Sequence, residues 1–348
     1  MTSQKCFIMI GTSWRTPEGE VPMKRRLMIG TLAAAAVGAV TLVQFGLPAV
    51  AQENYPTKPI RIIVPEVVGS AADLLSRIIG QQIAEALAQP VTYENLFLEA
   101  GVEKGIKSAP DGYTLIYGSS GNLALLPHVK KVSFDPVADL TPVARFVIQP
   151  TLLASNPSLP VTTVQDLVAL IKANPDKLRM STAGAGTAGH FAGEMFIAMA
   201  GIKPVVVHYN GGGPAIEAVV NNDSQWTMAP IAGRMPHVRA GKLRALAIGG
   251  TTRLSLLPEV PTVGESGYPG FDAVGWGGIF VPNGTPQPII DKLAATIANV
   301  ATLPEARKQF AEQGTEPASS SQAEMAKMLR DDSARLRELA KRLAVGVN

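Results

Sequence analysis

Ser181-Thr-Ala-Gly-Ala-Gly-Thr-Ala-Gly-His-Phe-Ala-Gly-Glu194 and, one short helix and strand later, His208-Tyr-Asn-Gly-Gly-Gly-Pro-Ala215 decide how this chain is read. Each segment leads from a short apolar run into an amphipathic stretch, so each sets unpaired backbone N–H groups at the start of a helix. Such a place holds an anion without any cationic side chain. Glycine lets the backbone approach a ligand and take positive φ, while Thr187 and Tyr209 add hydroxyl donors. Ala185, Gly186, Gly212 and Gly213 supply the rest of the expected contact. Ordinary β-to-α turns have the same composition. Two of them, in a chain with an export leader and no catalytic constellation, point to a binding cleft.

Outward from these loops, apolar runs alternate with helical patterns from Tyr55 onward, the mark of an α/β chain with a mainly parallel sheet. Ile60 to Pro65 reads as a buried strand. It runs into Gly69-Ser-Ala-Ala-Asp73 and a helix carrying Leu74, Leu75, Ile78, Ile79, Ile83 and Leu87 on one face, with Ser70 and Asp73 spaced as a capping box. Strands are expected at Val91 to Glu94 and Thr114 to Tyr117. The second leads into Gly118-Ser-Ser-Gly-Asn122, either a plain turn or a third polar loop in which Ser119, Ser120 and Asn122 donate to a carboxylate or amide. A second unit begins after Asn156-Pro157. Its helix is capped by Thr163 and Asp166, and its strands are expected near Arg179 to Ser181, Val205 to His208 and Leu243 to Ile248. Trp276-Gly-Gly-Ile-Phe-Val-Pro282 returns to the first unit, and capped helices start at Pro288, Pro304 and Ser321. Trp276 sits at that return, where a cleft or a core is an equal reading.

The sequence excludes several chemistries. It has no P-loop, no H-E-x-x-H, no cysteine pair and no G-x-S-x-G elbow, so no cofactor and no metal are expected. His128, His190, His208 and His237 are isolated and read as packing or capping residues. Net charge is +3 with the leader's basic residues included, and aromatics do not alternate with Lys or Arg, so no nucleic-acid surface is indicated.

The leader itself starts at Met23, since residues 1–22 read as an extension from a misassigned start. Lys24-Arg25-Arg26, an apolar run to about Leu47 and Ala49-Val50-Ala51 fit a signal peptide over 23–51, cleaved before Gln52. The competing reading is a retained anchor. Cleavage leaves roughly 300 residues, enough for two lobes. It also removes Cys6, the only cysteine, so the mature chain has no disulfide.

Tyr55-Pro-x-Lys-Pro-Ile-Arg-Ile-Ile-Val-Pro65, Ala109-Pro-Asp-Gly-Tyr-Thr-Leu115, Phe134-Asp-Pro136 and Asn156-Pro-Ser-Leu-Pro160 occur in order with three further segments: the loop at Ala183 to Glu194, Pro236-His-Val-Arg-Ala-Gly-Lys-Leu-Arg-Ala-Leu246, and Leu257-Pro-Glu-Val-Pro-Thr-Val263. Together they resemble the Bug family, the extracytoplasmic solute receptors of tripartite tricarboxylate transporters. The resemblance implies a type II periplasmic-binding-protein fold, two α/β lobes joined by two crossing strands, with lobe 1 at 52–152 and 276–348 and lobe 2 at 153–275. It implies a periplasmic, monomeric, non-enzymatic receptor that binds a small carboxylate and works with membrane permease subunits. A ligand sensor for a two-component system, or a hydrolase using Ser120 and a nearby histidine, would share the scaffold.

The first lobe departs from the family pattern. Where the family reads Val-Pro-Phe-Pro-Pro-Gly-Gly-x-x-Asp, this chain has Val64-Pro-Glu-Val-Val-Gly-Ser-Ala-Ala-Asp73, which keeps Gly69 and Asp73 and puts Glu66 in place of the aromatic. The family's Phe-Asp pair in lobe 2 becomes Met228-Ala229. Glu66 is therefore expected to reach the cleft, the competing reading being a carboxylate turned outward to solvent. A carboxylate about 4 Å from a ligand carboxylate is repelled by about 4 kcal/mol at an effective dielectric near 20. The expectation is a receptor that disfavours simple dicarboxylates and prefers a monocarboxylate, or an acid with an amine or hydroxyl that Glu66 accepts.

Overall fold

The computed structural model describes residues 54–300 and 302–343; the leader and its cleavage site lie outside the described residues. Ile60–Val64 (β1) sets β-branched Ile60, Ile62 and Val64 on one face and Ile63 beside Arg61 on the other, and it takes an interior place. It pairs in parallel with Val91–Asn95 (β2) and Thr114–Ser119 (β3). The sheet continues through Gly275–Pro282 (β10), Leu140–Gln149 (β4) and the short Glu316–Pro317 (β11), all in antiparallel pairing, so its order is β11-β4-β10-β3-β1-β2.

The second sheet has the order β7-β6-β8-β5-β9, built from Val205–His208 (β7), Arg179–Thr182 (β6), Trp226–Pro230 (β8), Thr151–Ser155 (β5) and Arg244–Ile248 (β9). β6 pairs in parallel with β7 and β8, while β5 runs antiparallel to β8 and β9. Sequence periodicity does not single out β4, β5 or β8. Pro142 within β4 is accommodated beside a register shift between Ile279 and Phe280, where a ladder donor is dispensable.

Two connections join the sheets. The chain leaves the first sheet at Pro150, between β4 and β5, and comes back through 249–274 into β10. Gln149 and Gly275 are opposed in the β4–β10 pair, so both crossings lie side by side at one end of the cleft. This is the two-lobed α/β architecture with crossing strands that the family resemblance implies, but both sheets are mixed and not mainly parallel, because the strands that form or flank the crossings, β4, β5 and β10, run antiparallel to their neighbours.

Each lobe has its own core. Ile60, Ile62, Leu75, Ile79 and Ile83 pack with Phe146 and the helices Gln287–Val300 and Pro304–Glu312 on one face of the first sheet. Trp276 resolves to core: it is 3% exposed, lies 6.2 Å from the Phe280 ring, and donates from Nε1 to Asp332 at 2.7 Å on the closing helix Gln322–Leu343. In the second lobe Phe196, on the helix Ala188–Ala200, meets Trp226, Tyr268 and Phe271 edge-on at 6.0, 5.5 and 6.3 Å. Helix ends follow their caps. Thr163 and Asp166 form a reciprocal box, and Gly201 closes Ala188–Ala200 at φ 59°.

Candidate functional site

Four helices begin at one cleft between the lobes. Ala71–Leu87 and the π-helical turn Ser120–Leu125 approach from the first lobe, Ala188–Ala200 and Gly212–Val220 from the second. Their first residues Ala71, Ala72, Ser120, Gly121, Ala188, Gly189 and Gly212 line the cleft, which encloses about 1070 Å³ up to its open mouth. Opening residues of a helix carry N–H groups without intrahelical acceptors, and the aligned peptide dipoles add partial positive charge. Four such ends facing one space favour an anion.

Of the twelve residues singled out from sequence, Glu66, Ser70, Ser119, Ser120, Asn122, Thr187 and Gly212 line this cleft. Several of their side chains are already engaged in shaping it. Ser70 Oγ accepts from Asp73 N at 3.2 Å, and Thr187 Oγ1 donates to Gly184 O at 2.8 Å while accepting from His190 N. Ser119 and Asn122 form a reciprocal cap, Asn122 Oδ1 accepting from Ser119 N at 2.7 Å. These hydroxyls and this amide cap the helix starts and fix the loops, leaving the neighbouring opening residues to face the cleft. The other five are placed elsewhere. Gly69 and Gly213 border a separate shallow depression with Gly233. Ala185 is exposed at the loop tip, Gly186 faces Leu126 and Val129, and the Tyr209 hydroxyl pairs with Ser224 Oγ at 3.1 Å. Local spacing could not show this, because a turn at positive φ (Gly184 at 130°, Gly186 at 79°) points consecutive residues in different directions.

The loop after β1 is held by a buried carboxylate. Asp73, with a side chain 2% exposed, accepts from Gly69 N at 2.9 Å, from Asn95 Nδ2 at 3.1 Å and from Arg77. Asn95 Nδ2 also donates to Glu66 O at 3.0 Å. Hydrogen bonds to a charged acceptor are worth roughly 1.5–3 kcal/mol each when their loss strands a partner. Asp73→Ala is therefore expected to lower stability by about 2 kcal/mol and to weaken ligand binding by releasing the Glu66 segment. Denaturant midpoints and calorimetric affinities check it, and an unchanged affinity would show that the loop holds itself.

Glu66 does reach the cleft. Its Oε2 is enclosed without a hydrogen-bond partner, although the residue as a whole keeps some exposed surface. Burial pushes its carboxyl up to about 7, against the lowering effect of the Val67 backbone N–H. Tyr117 lies close by, with Oη accepting from Gln149 Nε2 at 2.5 Å; burial, and to a lesser degree the Glu66 charge, drive its phenol pKa upward. Thr151 Oγ1, at the start of the β5 crossing, is a further enclosed and unpartnered atom on the lining.

Arg234 is the functional candidate the sequence reading missed. It follows β8 on a short turn, is 3% exposed, lines the cleft, and its guanidinium makes one hydrogen bond, from Nη1 to Pro230 O at 2.9 Å. Its Nε is buried without a partner, and burial lowers the guanidinium to about 10, still cationic at neutral pH. An arginine within a helical-looking run reads as surface, and only the fold turns it inward. None of the four histidines lines the cleft, so no Ser120–histidine pair is assembled.

The lobes touch at the cleft rim. A Cβ on Gly211, at φ 105°, would overlap Val67 Cγ2, and one on Gly212 would lie 3.4 Å from Ser70 Cα. Phe97 reaches to 3.4 Å of the corresponding point on Gly184. Substitution at Gly212 would thus crowd the approach of the lobes as well as the ligand.

A family model described as the tripartite tricarboxylate transporter family receptor matches residues 75–345. That match begins downstream of the Glu66 loop. Protein BugT of Bordetella pertussis (strain Tohama I) is 32% identical over 291 residues, covering 81% of this chain and 88% of that protein. Among solved structures, R. palustris Rpa4515 with adipate superposes at TM-score 0.81 with 30% identity, covering 83% of this chain and 98% of that one. MatC from Rhodopseudomonas palustris with bound malate gives TM-score 0.76 at 28% identity, covering 82% and 99%.

Proposed function

The chain belongs to the tripartite tricarboxylate transporter receptor family, and from that premise we propose that it is an exported periplasmic receptor that captures a small organic acid and presents it to the membrane subunits of a transporter. The observation that carries this reading is the convergence of four helix N-termini on one interlobe cleft that also holds the buried, carboxylate-free Arg234. In this reading lobe 1 is 52–152 with 276–348, lobe 2 is 153–275, and the ligand touches Glu66, Ser70, Ser120, Thr187, Gly212 and Arg234. The neighbours that hold adipate and malate support a carboxylate as the class of ligand. Hinge closure over two adjacent crossings would enclose the acid and form the surface that the transporter reads.

Protein purified from its native host and then denatured should release a small carboxylic acid, detected by mass spectrometry and rebound by the refolded protein in calorimetry. Release of no acid, together with no binding across a panel of mono- and dicarboxylates, would overturn the reading. The mature N-terminus should be Gln52, and a membrane-retained protein that still carries Met28 to Leu47 would remove the case for a soluble receptor.

A further inference from the structure

We propose that the ligand is zwitterionic, with a carboxylate held by Arg234 and the helix N-termini and an ammonium held by Glu66. This rests on the solute-receptor reading above and names the chemical class of its ligand. Two groups of complementary charge line the same cleft, which Asp272 and Arg335 also border, and each has an enclosed atom without a hydrogen-bond partner. Arg234, 3% exposed, spends one N–H on Pro230 O and leaves Nε buried and unbonded. Glu66 leaves Oε2 enclosed and unbonded.

They do not satisfy one another, since no hydrogen bond or ion pair joins them among the described residues, and burial, not the other charge, is the leading influence on each. Glu66 follows β1 in the first lobe and Arg234 follows β8 in the second. A buried charge without a partner is costly, so each group calls for a ligand group of opposite sign.

Alternative acids meet only half of this demand. A monocarboxylate answers Arg234 and leaves Glu66 desolvated and alone. A dicarboxylate sets its second carboxylate against Glu66, which must then take up a proton or be repelled. An amino acid whose ammonium and carboxylate are separated answers both at once, and by bridging one group on each lobe it ties occupancy to closure. Selection of such a ligand over a diacid of equal length follows, because the wrong end meets a like charge.

The test titrates the full-length mature protein calorimetrically with two matched pairs, succinate against 4-aminobutanoate and adipate against 6-aminohexanoate. In at least one pair the amino acid should bind tenfold or more tightly than the diacid. Glu66→Gln, which keeps shape and removes charge, should erase that preference, and Arg234→Gln should weaken both members tenfold or more. Should Arg234→Gln fail to fold, Arg234→Lys, which retains the charge and loses the fork, should weaken both less severely.

Wild-type affinity for the diacid equal to or above its amino partner in both pairs overturns the assignment, as does a preference that Glu66→Gln leaves intact. If none of the four binds, the acid released from native-host protein decides: one with an amine supports the assignment, and one without it leaves the receptor reading standing and sinks the zwitterion. Release of no acid at all removes the receptor reading instead.

Discussion

Gly211→Ala should lower ligand affinity roughly 10- to 100-fold while the protein remains folded. Gly211 has φ 105° and ψ 175°, backbone that an L side chain rarely adopts, and holding one there costs on the order of 1–3 kcal/mol. That strain falls on the loop in open and closed states alike. The second effect belongs to closure alone: the new Cβ would overlap Val67 Cγ2 of the opposite lobe, and overpacking of this kind costs about 1–3 kcal/mol. Only the term that differs between open and closed states weakens binding, because a ligand shifts the equilibrium by its differential affinity. Adding Val67→Ala to Gly211→Ala should therefore recover much of the affinity and little of the lost stability. Calorimetry with the recovered ligand and small-angle scattering with and without it read the two effects separately. Unaltered affinity and closure in Gly211→Ala would mean that the Val67 contact plays no part in shutting the cleft.

Phe196→Ala should have the largest effect on stability, a loss of about 3–5 kcal/mol, the range for removing a buried ring from a core that cannot collapse around it. The ring is fully buried and is met by three other aromatic side chains, Trp226 from β8 and Tyr268 and Phe271 from the 249–274 connection, so a void there has rigid walls. The functional consequence follows from the helix it anchors. Ala188–Ala200 carries Phe196 on its core face and begins with Ala188 and Gly189 at the cleft. Loosening the anchor should shift the helix start and weaken ligand binding as well. Chemical denaturation followed by circular dichroism measures the first effect and calorimetry the second; a midpoint equal to that of the wild type would show that the aromatic cluster repacks without Phe196.

Much of the scaffold is legible in the chain itself, for local reasons. β1, β3 and β7 are mostly apolar stretches near turn residues, β2 and β6 are short β-favouring stretches beside such turns, and the helix starts at Ser70, Thr163 and Thr187 are written in hydroxyls that accept from N–H groups three residues on. The first-lobe loop is a partial case. Ser70 caps as its spacing suggests, yet Asp73 reaches past it to Gly69 N and Asn95, a second role that needs β2 alongside. β4, β5 and β8 were not legible, because their place depends on pairing between distant segments and β4 contains Pro142.

What the sequence determined by itself is the alternation of strand, small-residue loop and helix, and with it loops that present N–H groups, since glycine content, hydroxyl caps and hydrophobic period act over a few residues. The tertiary structure alone decided which of those loops share a space. It put Gly212 and Thr187 at the cleft while turning Tyr209 toward Ser224 and Gly186 toward Val129, and it set Glu66 and a buried Arg234 on one lining with no ion pair to either among the described residues. The physical reason is that a side chain's direction at a turn, and the desolvation that makes a charge demand a partner, are set by neighbours from other elements or the other lobe, beyond the few residues over which caps and periodicity act, and no local pattern records them.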